Sequence, residues 1–445
     1  MVVRDAVRWG ATHGVMRLAI RARARSGNAD AEVLRDPAVR EDPYGHYERL
    51  RTDAPFAGGA FAKVSVHHEV CTDVLRSDAF GQIGGNRADG LPAVLRAALR
   101  LAGPRRSVGP IDPPSMLAVD PPEHTRYRRL VIRAFSARAV ARLRERTAEI
   151  AGELLDALER DAGPGGRVDL VARYASLLPV TVISEVLGVP VGMREQFLAW
   201  GDGATPSLDI GVDWRTHREV ERNLAELDAW FRGHLADLRR SPGEDLLSAL
   251  VLAADEDADE DGDGLTDREL LATAALVFGA GFETTVNLIG NGAALLFGHP
   301  EQRRLLAEDP SLWPNAVDEV LRIDAPVQRT GRRARHDTTV HGVAVGEGEL
   351  VLLVLGGANR DPRVFADPTA FDVTRPNARD HVSFSSGIHF CLGAALARME
   401  GEVALRALFE RFPDLAPAGP AHRRPTIILR GFESMPVSLG RRAGR

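Results

Sequence analysis

One segment of the sequence, residues 381–398 (HVSFSSGIHFCLGAALAR), has residue types that suit thiolate chemistry. Cys391 stands just before a run of strong helix formers. A thiol at a helix N-terminus is favoured as the thiolate, because the helix dipole and free N–H groups stabilise the anion. Gly387 and Gly393 flank the cysteine and let backbone approach the sulfur or a flat ligand closely. The segment therefore predicts a functional cysteine.

Two further side chains of this segment fit either of two uses of the cysteine. Phe384 can shield the sulfur from water, and His389 can pair with an anion. A nucleophilic cysteine needs a base close by. A thiolate that binds haem iron instead needs a loop loosened by glycine, dry surroundings and cationic partners for the haem propionates. The residues alone leave both hypotheses open.

Composition excludes several other classes of protein. The chain has 445 residues, a formal net charge of -6 and only two cysteines. Two cysteines are too few for a disulfide scaffold or a four-cysteine metal site, so both are excluded. Cys71 is predicted to be a small buried hydrophobe. The net charge argues against nucleic acid as a partner. The most apolar run, residues 271–282, is shorter than the roughly 20 residues a bilayer demands, so no transmembrane span is predicted.

Hydrophobic periodicity predicts a mainly helical protein with small β-sheets. Apolar residues three and four apart indicate amphipathic helices, and Thr266 with Glu269 forms a capping box that opens a long, apolar helix through the core. Strand patterns are short and mostly late. The predicted helices are residues 139–158, 180–187, 220–238 and 267–298, and the predicted strands are residues 339–345, 350–355 and 426–429.

The cysteine segment resembles the haem-binding loop of a known family. Phe384, Gly387, His389, Cys391 and Gly393 match the loop of the cytochrome P450 family, in the form typical of soluble bacterial members. Five residue types at fixed spacing make this pattern highly specific. The resemblance implies the cytochrome P450 fold, with haem b held between a long central helix and the cysteine loop and bound to iron through the cysteine thiolate.

A second motif lies in the predicted long helix. Residues 280–285 (AGFETT) resemble the oxygen-activating motif of the same family. The resemblance implies that Ala280 and Gly281 leave room for dioxygen over the haem, and that Glu283 and Thr284 form an acid–alcohol pair that delivers protons. The alternative is that Thr284 only bonds a carbonyl of its own helix. Within this motif the sequence departs from many bacterial members at position 282, where it has phenylalanine (Phe282) and they have histidine.

Two further matches concern support of the haem. Glu319 and Arg322 match the helical ExxR motif, and Arg375 lies in a segment (FDVTR) that resembles the family's meander. The resemblance implies that these three residues form one buried network that holds the haem loop in place.

The resemblance also implies partners for the haem propionates. His124 and Arg128 are four residues apart and share one helix face. Residues 331–333 (GRR), after the ExxR helix, depart from the sequence that is usual in the family. Arg332 is the expected partner of the propionates, and Arg329 or Arg333 are the alternatives. The complete set of expected donors is His124, Arg128, Arg332 and His389.

The resemblance begins after about residue 40 and covers the rest of the chain. It predicts a single catalytic domain over residues 41–445 and an N-terminal extension over residues 1–40. The first 26 residues carry six arginines among apolar residues. They are predicted to form an extra helix packed on the body or a frayed end, with a helix lying on a membrane surface as the alternative.

The implied function is a cytoplasmic monooxygenase that inserts one oxygen atom of O2 into a lipophilic small molecule, by hydroxylation or epoxidation. A ferredoxin and its reductase are the implied electron donors, since the sequence has no flavin or nicotinamide motif. Alternatives are a peroxygenase, a coupling or isomerising enzyme, or a haem-based sensor. The expected ferredoxin surface is a basic patch of Arg105, Arg106, Arg126, Arg129 and Arg398.

Overall fold

The computed structural model describes residues 2–83, 93–103, 107, 109–162, 166–257 and 264–440. Helices make up most of this part of the chain, as the periodicity predicts. In chain order they are α1 (Val2–Trp9), α2 (Val15–Arg25), α3 (Ala29–Arg35), α4 (Pro37–Glu41), α5 (Tyr44–Leu50), α6 (His68–Arg76), α7 (Ala93–Ala102), α8 (Glu123–Val131), α9 (Ala137–Asp161), α10 (Leu177–Val186), α11 (Arg194–Ala204), α12 (Trp214–Arg240), α13 (Leu246–Asp257), α14 (Asp267–Gly298), α15 (Pro300–Glu308), α16 (Trp313–Ile323), α17 (Leu355–Ala358) and α18 (Ala394–Arg411).

The strands are short and form small sheets. They are β1 (Ala57–Gly58), β2 (Lys63–Ser65), β3 (Phe80–Gly81), β4 (Arg167–Asp169), β5 (Thr330–Ala334), β6 (Thr338–Val340), β7 (Val343–Val345), β8 (Leu350–Leu353), β9 (Ala416–Pro417), β10 (His422–Arg423), β11 (Phe432–Ser434) and β12 (Pro436–Ser438). The largest sheet has the order β1-β2-β8-β5-β3, in which β2 and β8 run parallel. The smaller sheets pair β10 with β11, β6 with β7, and β4 and β9 with β12.

Helix α14 is the central element, and its bounds match the prediction. The capping box is formed: Thr266 Oγ1 accepts from the Glu269 amide at 3.3 Å, and Glu269 Oε2 accepts from the Thr266 amide at 2.7 Å. Most of the helix is buried, and it packs against α10, α12, α16 and α18. It is long and apolar enough to span a bilayer, but 78 % of its apolar window is buried inside the protein, as expected of a core helix.

The other helix predictions are confirmed, and the strand predictions are confirmed in part. Residues 139–158 and 220–238 lie within α9 and α12, and residues 180–187 lie mostly within α10. The predicted strand at residues 339–345 is a hairpin of β6 and β7. His341 and Gly342 form its turn with φ values of 47° and 81°, which suits a tight hairpin.

The predicted strand at residues 426–429 is wrong. Within it only Leu429 forms a strand-like pair, an isolated bridge to Val327. The amides of Ile427 and Ile428 donate instead to the buried carboxylate of Asp209, at 3.1 and 3.0 Å. Because a side chain satisfies the backbone donors that a neighbouring strand would need, this apolar run stays irregular.

The N-terminal helices pack on the body, as predicted. Helix α1, a π-helical segment (Gly10–Gly14) and α2 follow one another without a break. Trp9 Nε1 donates to the carbonyl of Val212 at 3.0 Å, and Arg17 Nη1 donates to the carbonyl of Gly211 at 2.9 Å. These contacts fix the start of the chain to the loop before α12.

Candidate active site

The cysteine loop directly precedes helix α18. The amide of Cys391 donates to the carbonyl of Phe384 at 2.9 Å and closes the loop. Ser385 and Gly387 have φ values of 62° and 67°, in the left-handed region. A Cβ on Gly387 would lie 2.4 Å from the carbonyl oxygen of Leu75, so only glycine lets the loop approach α6 this closely.

The cysteine itself lies at the start of helix α18, as the sequence predicts. Burial raises the pKa of the Cys391 thiol, while the Gly393 amide and the guanidinium groups of Arg128 and Arg398 act in the opposite direction. Cys391 is nonetheless exposed, unlike Cys71, so a ligand can reach it. A coordinated metal deprotonates a thiol outright, which agrees better with a ligand than with a free nucleophile.

The surroundings of the cysteine fit a haem. A Cβ on Gly393 would meet no protein atom within 4 Å, so a flat ligand can approach the backbone there. The rings of His124 and His389 lie 4.2 Å apart. Among the described residues, His124 Nδ1 and His389 Nε2 are buried without a hydrogen-bond partner. Such orphaned polar atoms need an acceptor, and haem propionates would supply it.

Arg332 is the arginine whose contacts best fit the predicted set of propionate partners. Its buried guanidinium donates to neutral groups, the carbonyl of Gly331 at 2.8 Å and Thr330 Oγ1 at 3.2 Å, and burial lowers its pKa to about 10. A buried cation with neutral partners favours an anion beside it. The two alternatives point elsewhere: Arg329 pairs with Asp30 at 2.9 Å, and Arg333 donates to the carbonyl of Gly348.

The other expected donors of the set are also in place. Arg128 Nη2 donates to the carbonyl of Phe390, one residue before the cysteine, at 2.9 Å. Asp120 lies beside the histidines, with its Oδ1 3.9 Å from His389 Nε2 and 3.1 Å from Arg335 Nη2. The structure therefore brings His124, Arg128 and His389 together near Cys391. Their role toward the propionates stays a prediction.

Helix α14 carries the oxygen-activating motif. Ala280 is exposed and Thr284 is half-buried in a helix that is otherwise mostly buried. The Thr284 hydroxyl donates to the carbonyl of Ala280 at 2.7 Å, so the alternative hydrogen bond is formed while the side chain stays accessible. A Cβ on Gly281 would lie 2.9 Å from Ile183 Cδ1, so this glycine also admits close packing of α10. Phe282 is fully buried and stacks on Phe278, behind the accessible face.

Glu283 is buried beside two charged side chains. Its Oε1 lies 3.2 Å from Nε of Arg424, and Arg424 Nη2 donates to Asp202 Oδ1 at 2.9 Å. Burial raises the pKa of Glu283 to about 7. Arg424 lowers it, and the charge of Asp202 adds to the rise. Asp202 is half-exposed, so charged groups lead from the surface to the buried acid.

Glu319, Arg322 and Arg375 form one buried network. Arg322 donates to both carboxylate oxygens of Glu319, at 2.6 and 2.8 Å, and Arg375 Nε donates to Oε1 at 3.1 Å. The remaining guanidinium donors are taken up by backbone carbonyls of the segment 359–370. Satisfied donors make a buried charge tolerable, and the network fixes this segment.

Two residues that the sequence analysis missed join this network to the cysteine loop. The carbonyl of Asn359 accepts from Arg322 at 3.0 Å. The Asn359 side chain accepts from the Val382 amide at 2.8 Å and donates to Ser383 Oγ at 2.7 Å. Ser383 in turn donates to the carbonyl of Leu321 on α16 at 2.6 Å. The sequence contains no local pattern that pairs residues so far apart.

Asp318 is a third missed residue, and it binds side chains at both ends of the loop. Its Oδ1 accepts from His381 Nε2 at 3.2 Å, before the loop, and from Arg398 Nε at 2.6 Å, after it. The guanidinium of Arg398 lies 4.6 Å from the ring centre of Phe384. One carboxylate thus holds a cation over the ring of Phe384, whose backbone carbonyl accepts from the Cys391 amide.

We predict that Asp318→Asn lowers the free energy of unfolding by about 1.5–3 kcal/mol, the usual contribution of a hydrogen bond to a charged group. It should also speed the loss of the thiolate-type carbon monoxide spectrum on warming. Thermal unfolding followed by absorbance of the haem protein measures both. Asp156→Asn is the matched control, since Asp156 is exposed and pairs with Arg411 on the same helix α18 at 2.6 Å. Equal effects of the two variants would contradict the role given to Asp318.

Two of the five arginines of the basic patch expected for ferredoxin are held in ion pairs within the protein. Arg105 and Arg106 lie outside the described residues. Arg126 pairs with Glu269 at 2.5 Å, and Arg398 pairs with Asp318. Arg129 is exposed on α8. The patch therefore stays a prediction, with two of its members held in ion pairs.

Comparisons with known proteins agree with this geometry. The family model for cytochrome P450 matches residues 206–420. A relative from Mycobacterium tuberculosis, "Putative cytochrome P450 140", is 46% identical over 439 residues, which is 98% of each chain. The 6-deoxyerythronolide B hydroxylase of Saccharopolyspora erythraea is 45% identical over 72% of this chain and 76% of its own. The crystal structure of myxobacterial cytochrome P450 CYP267B1 with myristic acid superposes with a TM-score of 0.80 at 34% identity, covering 92% of this chain and 99% of that one.

The fold and these matches define a haem-dependent monooxygenase. The chain belongs to the cytochrome P450 family and binds haem b. The M. tuberculosis relative matches nearly the whole length, so similarity to it extends into the N-terminal residues that lie outside the general family pattern.

Proposed function

We propose that this protein hydroxylates or epoxidises a lipophilic small molecule in the cytoplasm, with electrons from a ferredoxin and its reductase. The catalytic domain is residues 41–445. Cys391 binds the iron, with Phe384, Gly387 and Gly393 shaping the loop, and His124, Arg128, Arg332 and His389 hold the propionates. When bound, the haem supplies the activation of O2. The protein orients the substrate, excludes water and delivers protons.

The observation that carries this proposal is the pairing of a buried acid with an accessible alcohol on α14. With a pKa of about 7, Glu283 is present in both protonation states at neutral pH and can take up and release protons. Thr284 follows it directly and is half-buried. Asp202 and Arg424 connect Glu283 to the surface. A haem-based sensor has no need of such a proton relay, which favours an enzyme that uses O2.

We predict that Glu283→Gln lowers turnover by about 100-fold, the lower end of general acid–base contributions. Glutamine keeps the size of the side chain but cannot carry a proton. Product formation under saturating substrate measures the effect. Glu410→Gln, an exposed residue on α18, is the control and should retain full turnover. Unchanged turnover of Glu283→Gln would contradict the relay.

The pH profile gives a sharper prediction. Asp202 raises the pKa of Glu283 and Arg424 lowers it. Asp202→Asn should therefore move the limb of the pH–rate profile that reports Glu283 to lower pH, and Arg424→Gln should move it to higher pH. Product formation against pH for both variants tests this. Shifts in the same direction would show that the limb belongs to another group.

The proposed activity as a whole is tested by supplying electrons in two ways. Product from a panel of lipophilic substrates is measured with ferredoxin, ferredoxin reductase and NADPH, and separately with hydrogen peroxide. The proposal requires product in the first assay, with oxygen incorporated from labelled O2. Product with peroxide alone would favour the peroxygenase, and conversion without oxygen incorporation would favour coupling or isomerisation.

A further inference from the structure

Helix α2 presents an apolar stripe to solvent. Val15, Leu18 and Ala22 are all exposed, and the spacing of three and four residues places them on one helix face. Leu18 is 66% exposed. Arg21 and Arg25 are exposed beside this stripe. Exposed apolar side chains that are contiguous and bordered by polar residues are typical of a protein or membrane interaction site.

Helix α7 repeats the same pattern. Val94 and Leu101 are seven residues apart, on one face, and are 78% and 76% exposed. Arg96 and Arg100 are exposed next to them. These are among the most exposed large aliphatic side chains of the described residues. Two helices thus carry apolar stripes flanked by arginine.

The two helices are neighbours through the start of the chain. Helix α1 and the π-helical segment pack against α7, and Arg8 Nη2 donates to the carbonyl of Gly103 at its end, at 2.7 Å. Helix α2 continues directly from that segment and contacts Gly211, next to the exposed Ile210. We call the exposed side chains of these neighbouring elements the N-terminal face and define it by Val15, Leu18, Val94, Leu101, Ile210, Arg21, Arg25, Arg96 and Arg100.

The charge of this region opposes that of the whole chain. Residues 1–26 contain six arginines and one acid, Asp5, and residues 93–103 contain two arginines and no acid. The chain as a whole has a net charge of -6. A strongly basic region on an acidic protein is a local electrostatic feature that attracts anions.

We propose that the N-terminal face docks on the surface of an anionic lipid bilayer. Aliphatic side chains need an apolar medium and the arginines beside them need negative charge, and the interface of an anionic membrane supplies both. A second copy of the chain fits less well, since two such faces would bring like charges together. The proposal is independent of the reaction, because it uses none of the residues near Cys391.

The test is flotation of the haem-loaded full-length protein with vesicles. Vesicles of equal parts phosphatidylcholine and phosphatidylglycerol should carry the protein, and vesicles of phosphatidylcholine alone should not. Added salt should release it. Leu18→Glu with Leu101→Glu should lower the bound fraction at least tenfold. Arg21→Gln and Arg25→Gln should each weaken binding to the anionic vesicles about fivefold.

Leu305→Glu is the matched control, because Leu305 is an exposed leucine on α15, outside the N-terminal face. It should bind like the unchanged protein. An unaltered melting temperature of every variant excludes unfolding as the cause. Absence of binding to anionic vesicles would overturn the proposal, and so would equal losses in Leu305→Glu. A dimer in light scattering that Leu18→Glu dissolves would overturn it in favour of self-association.

Discussion

Cys391→Ser is expected to abolish the red-shifted Soret band of the reduced carbon monoxide complex and to reduce monooxygenation to background. The Cys391 thiolate would bind the haem iron and supply the electron density that oxygen activation needs, and a serine hydroxyl cannot replace it as a ligand. The measurement is the difference spectrum of dithionite-reduced protein with and without carbon monoxide, together with product formation. This is the largest effect we expect from a single substitution on activity.

The matched control is Cys71→Ser. Cys71 is completely buried on α6, and its Sγ lies 3.7 Å from the carbonyl of Ser65, in an apolar cluster that does not include Phe384. It should lose some stability but keep the spectrum. A red-shifted band that survives in Cys391→Ser, or an imidazole-type band in the unchanged protein, would contradict the assignment of the thiolate.

Glu319→Gln is expected to have the largest effect on stability, a loss of about 3–5 kcal/mol in the free energy of unfolding, as found when one partner of a buried ion pair is removed. The substitution leaves the buried guanidinium groups of Arg322 and Arg375 without a carboxylate. Because Asn359 and Ser383 link this network to the cysteine loop, haem retention should fall as well. Denaturant unfolding and haem content measure the two effects.

Arg375→Lys gives a milder form of the same test. It keeps the charge but loses part of the fork that reaches the carbonyls of Ala366 and Ala370, so it should fold and lose haem faster than the unchanged protein. Glu410→Gln, whose exposed pair with Arg406 is 2.8 Å long, should cost at most about 0.5 kcal/mol. A comparable loss in the surface variant would show that burial does not set the effect.

The sequence by itself determined the features that depend on local patterns. The spacing around Cys391, the AGFETT motif and the ExxR motif predicted the family, and the family predicted the fold and the haem. The capping box of Thr266 and Glu269 and the apolar run behind it predicted the central helix with its observed bounds. These signals are local, because a cap, a helix period or a motif involves residues within a few turns of one another.

Only the tertiary structure decided how distant residues meet. The sequence left three arginines open for one role, and the structure favours Arg332 because Asp30 engages Arg329 and Arg333 faces the backbone of Gly348. It turned the predicted strand at residues 426–429 into irregular chain, since the Asp209 carboxylate takes its amide groups.

The tertiary structure also decided which residues hold the cysteine loop and which groups set the pKa of Glu283. Asp318 and Asn359 fasten the loop through contacts with residues up to 80 positions away. Burial and the chain of Arg424 and Asp202 bring the pKa of Glu283 to about 7. Burial and the distance between charges set these properties, and both arise only when segments far apart in sequence pack together.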